Sequence, residues 1–207
     1  MQPDIFATDP NAPEVLQLAM VDADVRYYPH WLDGAQADHY LRLCEAQLPW
    51  SQDYIKVYGR EVKIPRLQAW IGDPEAQYTY SQLQMQPHPW CAPLDEIKTL
   101  CEQTCQTTFN SVLANWYRDG QDSMGMHSDD EPELGHQPVI ASVTLGTTRR
   151  FIFKHKRTGE KEIVELQHGS LLVMQGMTQQ CWQHGINKSN TVHGGRINLT
   201  YRYVHPQ

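Results

Sequence analysis

The sequence predicts an α+β fold in which N-terminal helices buttress an antiparallel sandwich or jelly roll. Apolar residues recur at helical spacing in two stretches of the first half, whereas from residue 109 onward the chain breaks into short β-type runs punctuated by Gly, Pro and Asn. Helices followed by a dense series of strands do not build a parallel α/β sheet, which needs the two to alternate. With 207 residues, the chain is long enough for one domain with a substantial core.

Residues 1 to about 24 are rich in Pro and Asp without periodicity and are expected as a poorly ordered lead-in to a single domain over 25–207. From Asp33 to Leu48 the residues Ala37, Tyr40, Leu41, Cys44 and Leu48 mark one face of a helix, and Asp33 is placed to cap its start. A second helix is expected from Pro93 to about Gln106, with Leu94, Ile97, Cys101 and Cys105 on one stripe. Strands are expected over 109–117, 139–146, 149–155, 160–167, 170–175 and 195–204.

Composition narrows the class further. Hydrophobic residues make up 40% and charged residues 20%, as in ordinary globular domains. No apolar stretch approaches the roughly 18 residues of a membrane span, and the first residues lack the basic and apolar parts of a signal peptide. An intracellular protein with no membrane partner is expected. Its five cysteines are an odd number without C-x-x-C spacing, which fits free thiols, and Cys101 and Cys105 read as neighbours on one helix face. An acidic domain without heptads or a large apolar stripe is expected to be a monomer.

The net charge of −7 argues at first against a nucleic-acid partner. That average hides a division: residues 1–145 hold 8 basic against 21 acidic side chains, and residues 146–207 hold 9 against 3. Local potential governs binding, so a basic C-terminal surface is compatible with an acidic protein.

His127 and Asp129 are two apart, and in an extended segment such residues point to the same side about 6.5 Å apart. They can converge on one metal. His184, after the strand 170–175, is the best third ligand, with His168 as a rival in a turn. Two imidazoles and one carboxylate leave three positions open, the arrangement of non-haem Fe(II) oxygenases. The other histidines read as structural or exposed.

The run 195–202 alternates with period two. Arg196, Asn198, Thr200 and Arg202 face one way, and Ile197, Leu199, Tyr201 and Tyr203 the other. Two arginine forks on one face suit a dicarboxylate such as 2-oxoglutarate. Arg196 and Arg202 are roughly 20 Å apart along an extended strand, so both would lean inward. Asn115 and Tyr117 offer a neutral hydrogen-bonding pair to the same pocket.

Together, Asn115-Trp116-Tyr117, His127-Ser128-Asp129-Asp130-Glu131, His184 and the run Arg196 to Arg202 resemble the AlkB family, especially its DNA-repair branch, over about residues 25–205. The resemblance implies a double-stranded β-helix (jelly roll) core at 109–205 and a nucleotide-recognition region within 25–92. It implies Fe(II) on His127, Asp129 and His184, and 2-oxoglutarate on Asn115, Tyr117, Arg196, Asn198 and Arg202, with O2 as co-reactant. Trp116, commonly Arg in relatives, departs from the pattern on the strand face away from the pocket.

By position, Val57, Tyr58 and Gly59 match a loop that fills the gap left by an extruded base, and Tyr78 and Tyr80 match a base-binding segment. Asp130 and Glu131 would face the cation of a base alkylated at adenine N1 or cytosine N3. The hairpin with Thr158 and Gly159 at its turn would hold DNA phosphates through Lys154, Lys156, Arg157 and Lys161.

The function so implied is oxidative dealkylation of 1-methyladenine and 3-methylcytosine lesions in duplex and single-stranded DNA, releasing succinate, CO2 and formaldehyde, in the cytoplasm at the nucleoid or in the nucleus. The alternatives are the same chemistry on RNA, protein or a small molecule, and a module that binds modified bases without turnover.

Overall fold

The computed structural model describes residues 14–57, 60–76, 78–80 and 83–206. Its first helix, α1 (Gly34–Gln47), starts where the local chemistry dictates. Asp33 Oδ1 accepts the Gln36 N–H at 2.8 Å while Gln36 Oε1 accepts the Asp33 N–H at 3.2 Å, a reciprocal cap. The second, α2 (Ala92–Cys105), has Pro93 in its first turn and ends on Gln106 in the left-handed region, φ 53°.

Seven strands form one antiparallel sheet in the order β1 (Leu16–Gln17), β2 (Asp24–Tyr28), β13 (Ser170–Gln175), β10 (Ile140–Gly146), β15 (Arg196–Arg202), β8 (Ser111–Tyr117) and β5 (Leu67–Gly72). Four more form a second sheet in the order β12 (Lys161–Leu166), β11 (Arg149–His155), β14 (Trp182–Ile186) and β9 (Met124–His127). Two hairpins complete the strands: β3 (Tyr54–Val57) with β4 (Arg60–Lys63), and β6 (Tyr78–Tyr80) with β7 (Leu83–Met85). A short helix, α3 (Thr178–Cys181), joins β13 to β14. This is the jelly roll with buttressing helices that the sequence predicts.

Two cores result. Val112, Ala141, Val143, Ile197 and Leu199 on one face of the large sheet pack under Tyr40 and Cys44 of α1 and Leu94 and Ile97 of α2. Tyr201 adds a hydroxyl bond to the Leu94 carbonyl at 3.0 Å. Ile140, Leu172 and Met174 on the other face meet Phe151, Phe153, Trp182 and Ile186 of the small sheet.

The alternation read in β15 is therefore present, but all seven of its residues are buried. Its polar side looks into the molecule. Register aligns that side with its neighbours: Asn198 lies opposite Thr144 and Asn115, Thr200 opposite Ser142, and Asn115 opposite Gln68. A polar column thus crosses four strands inside an apolar sandwich. Such a column is costly to bury unless its groups are hydrogen-bonded or reserved for a ligand.

Strands β1 to β7, β9 and β14 were not among those expected. Within the expected lead-in, Leu16–Gln17 pairs with Arg26 and Tyr27 and Met20 is buried, while residues 1–13 lie outside the described part. Among the described residues, no helix is long and apolar enough to cross a membrane.

Candidate active site

His127 closes β9, where it pairs across the ladder with His184 of β14. Asp129 lies just past the end of that ladder. Asp129 Oδ1 is 3.8 Å from His127 Nε2, and its Oδ2 is 3.7 Å from His184 Nε2. One ligand atom from each of the three residues lies within 4.8 Å of the others. The sequence-predicted trio is thus brought together, and His168 is not part of it. Instead, His168 Nδ1 accepts the Gly146 N–H at 2.8 Å and its Nε2 lies 3.3 Å from Asp38, as suits a turn residue.

The cluster fits a metal ion in three respects. Among the described residues, Asp129 Oδ2 is buried without a hydrogen-bond partner, an expensive arrangement unless a cation takes it. His127 Nδ1 lies 2.9 Å from the Gly125 carbonyl, which can only accept, so the Nε2 lone pair faces the cluster. Burial, with His127 adding to it, pushes His184 down to about 3, so its imidazole is neutral and able to ligate at ordinary pH. Burial works to raise the Asp129 carboxyl, but Arg202 and the two imidazoles outweigh it and hold the group below the usual carboxylate range.

A second trio, Asp22, His155 and Cys181, shows the opposite chemistry. His155 Nδ1 accepts the N–H groups of Arg157 and Thr158 at 3.2 and 3.1 Å. That leaves the ring proton on Nε2, where a metal would need a lone pair.

Beside the His-Asp-His cluster opens a cavity of about 820 Å³, counting its mouth. Asn115, Tyr117, Asn198 and Arg202, all predicted for the cosubstrate, line it. Arg202 Nη2 donates to Asp129 Oδ1 at 2.6 Å. Arg196 is fully buried away from the open cavity, in contact with two residues that line it. Its Nη2 donates to Asn198 Oδ1 at 2.6 Å and Thr144 Oγ1 at 2.8 Å, and its guanidinium lies 5.3 Å from the Tyr117 ring centre. Among the described residues its Nε and Nη1 have no hydrogen-bond partner of ordinary geometry, which leaves two cationic donors of the kind an anion satisfies.

Of the expected substrate residues, Glu131 lines the cavity with Oε2 buried and unpartnered. Asp130 does not line it. Its carboxylate lies 3.1 Å from Lys156 Nζ, which also donates to the Gln179 carbonyl at 2.9 Å. Lys156, expected to hold phosphate, is therefore engaged within the protein. Lys154, Arg157 and Lys161 remain exposed around the β11–β12 turn. Tyr58 and Gly59 lie outside the described residues; Val57 ends β3, and Tyr78 and Tyr80 lie in β6. Trp116 packs away from the cavity, 5.3 Å from the Trp50 ring.

Sequence reading missed Arg66, Gln68 and Trp70, which also line the cavity. Arg66 is buried and donates through Nε to Asn115 Oδ1 at 2.7 Å. Their spacing of two along the segment entering β5 was the available signal.

A His-Asp-His cluster with two of its three members buried, beside an arginine-lined cavity in a jelly roll, defines a non-haem metal oxygenase framework. The chain belongs to the 2OG-Fe(II) oxygenase superfamily, whose pattern matches residues 24–202. Membership implies Fe(II) as the metal, with 2-oxoglutarate and O2 as cosubstrates.

Among curated relatives, the rat protein named alpha-ketoglutarate-dependent dioxygenase alkB homolog 3 is 43% identical over 190 residues, 86% of this chain and 63% of its own. The chain thus spans less than two thirds of that relative's length. The mouse DNA oxidative demethylase ALKBH2 is 40% identical, over 83% of this chain and 77% of its own. A solved structure of OsALKBH1 superposes with a TM-score of 0.66 at 17% identity, covering 92% of this chain and 100% of that one, which supports the fold.

Proposed function

We propose that this chain oxidatively removes alkyl groups from nucleobases in DNA, with His127, Asp129 and His184 holding Fe(II). The observation that carries the reading is the Asp129 carboxylate between two imidazoles, with Arg202 on Oδ1 and, among the described residues, no hydrogen-bond partner for its Oδ2 or for Glu131 Oε2 in the same cavity. The relatives named as DNA oxidative demethylases support the substrate class.

When bound, Fe(II) and 2-oxoglutarate supply the oxidation by O2 of the alkyl carbon, with succinate and CO2 as by-products. The chain's own residues prepare that chemistry. Gly125 fixes the tautomer of His127, and burial keeps His184 neutral, so both present lone pairs. Arg196 and Arg202 would take the two carboxylates of 2-oxoglutarate, with Asn115, Tyr117 and Asn198 beside them. Glu131 would accept hydrogen bonds from the cationic base, which holds it at the metal-facing end of the cavity.

A base inside a duplex must leave the stack first, at a cost of a few kcal/mol. Val57, Tyr58 and Gly59 would fill the gap, with Tyr78 and Tyr80 against the extruded base. Lys154, Arg157 and Lys161 would meet phosphates, and Asp130 and Lys156 would sit at the rim.

Formaldehyde release from oligonucleotides carrying 1-methyladenine or 3-methylcytosine, in duplex and single-stranded DNA and in RNA, tests the proposal. Release dependent on 2-oxoglutarate and abolished by His127→Ala is expected. Turnover confined to RNA would overturn the DNA assignment, and turnover retained by His127→Ala would overturn the metal assignment.

A further inference from the structure

The β9–β14 ladder registers His127 against His184 and goes no further on that side, so the carboxylate of the trio sits on backbone that no strand holds. Side chains hold it instead. Ser128 Oγ donates to the Trp182 carbonyl at 2.9 Å, the Asp129 N–H donates to Gln179 Oε1 at 2.9 Å, and Lys156 grips Asp130. Gln179 belongs to α3, is 1% exposed and reaches the Asp129 backbone from beside the cavity-lining Met174, whose sulfur takes its Nε2–H at 3.5 Å.

Both polar atoms of the Gln179 side chain thus make a hydrogen bond inside the protein, and Gln179 is not among the residues that line the cavity. A buried glutamine amide costs free energy unless it does such a job, and leucine or methionine would fill the space without that cost. Among the described residues, the bond it makes is the one that holds the Asp129 N–H, one bond away from the Cα that aims both carboxylate oxygens. Displacing that backbone by even a fraction of an ångström would turn the carboxylate away from the imidazoles, since ligand geometry is set by the groups behind the ligands.

We infer that Gln179 is a positioning residue for the metal centre, setting the direction of the Asp129 carboxylate through the Asp129 backbone N–H. Lys156 serves the same segment one residue on, with its ammonium between Asp130 and the Gln179 carbonyl. Helix α3 therefore joins the metal-facing end of the cavity to the β11–β12 hairpin. The inference rests on the metal reading proposed above.

Co(II) is the probe, titrated into the whole protein without 2-oxoglutarate and followed by its visible absorption. Wild type should bind one Co(II), and His127→Ala should not; binding unchanged in His127→Ala would sink the metal reading itself. Against that background, Gln179→Met, which keeps length and apolar packing but puts a weakly accepting thioether in place of the amide oxygen, should weaken Co(II) binding by about 10- to 100-fold, the range seen when groups behind metal ligands are removed. Its absorption bands should shift. The metal-free melting temperature should change little, because methionine packs well against Met174.

Gln179→Glu keeps an acceptor oxygen at the same reach and should restore affinity to within about threefold. If the methionine variant does not fold, Gln179→Asn, whose amide falls one methylene short of the Asp129 N–H, takes its place with the same expected loss. Wild-type Co(II) affinity in the methionine or asparagine variant overturns the inference. So does a glutamate variant as weak as the methionine one.

Discussion

Arg202 Nη2 donates to Asp129 Oδ1 at 2.6 Å, with both side chains almost wholly buried. This joins the two halves of the site, since one partner faces the imidazoles and the other faces the cavity. Breaking a buried pair by removing one partner leaves an uncompensated charge, and costs about 3–5 kcal/mol. Arg202→Met should therefore lower the melting temperature sharply and abolish measurable 2-oxoglutarate binding by calorimetry. Arg202→Lys should not rescue binding, because an ammonium cannot serve two planar carboxylates with a fork. Cosubstrate affinity retained in either variant would contradict the role given to Arg202.

Arg196 predicts a different outcome from the same substitution. It is buried with two donors unsatisfied, and burial pulls its guanidinium down to about 10. Replacing a buried, incompletely paired charge with an apolar side chain of similar volume is often neutral or stabilising. Arg196→Met should leave the melting temperature of the cosubstrate-free protein unchanged or raised while weakening 2-oxoglutarate binding at least about tenfold. A large loss of stability with binding intact would show that Arg196 is a structural residue.

Glu131 separates cationic from neutral substrates. Its Oε2 is buried, unpartnered and on the cavity wall, so a positively charged base has most to gain from it. Glu131→Gln should lower kcat/KM for 1-methyladenine and 3-methylcytosine by roughly tenfold, about the worth of one charge-assisted hydrogen bond. Activity on an uncharged alkylated base should fall much less. Equal losses on both would remove the electrostatic role.

The two helices were legible because their signals are local. Asp33, Gln36 and the stripe from Ala37 to Cys44 all lie within a few turns of one another. The alternation of β15 was legible for the same reason, but its burial on both faces was not, because a face of Arg, Asn and Thr carries no signal of burial until its cross-strand partners are known. Strands β9 and β14 escaped because Met124-Gly125-Met126-His127 and the polar run around His184 carry little strand propensity, and their pairing is fixed by distant partners. The Lys156–Asp130 pair shows the same limit at the level of the site. Each residue alone pointed to DNA, and only the fold shows them holding one another across 26 residues.

Acid should expose the loop that feeds β9. Burial would raise the Asp122 carboxyl, but the Arg118 guanidinium and backbone N–H bind it at 2.7 to 2.9 Å and, with Arg149 nearby, hold it below its ordinary value of 3.8. A carboxyl lowered in the folded state favours folding above the unfolded value and loses that contribution as pH falls through the folded one. Because Arg118 is partly exposed, solvent screens the pair, and Asp122→Asn should cost only about 1–2 kcal/mol at pH 7. In a protein of this size that lowers the melting temperature by a few degrees, about 2–4 °C per kcal/mol. Between about pH 5 and pH 3 the variant should lose less stability than wild type, since it no longer has this carboxylate to protonate. Thermal melts of both proteins across that range decide the matter: parallel curves would mean that the Arg118–Asp122 pair contributes nothing to holding the turn ahead of Met124 and His127.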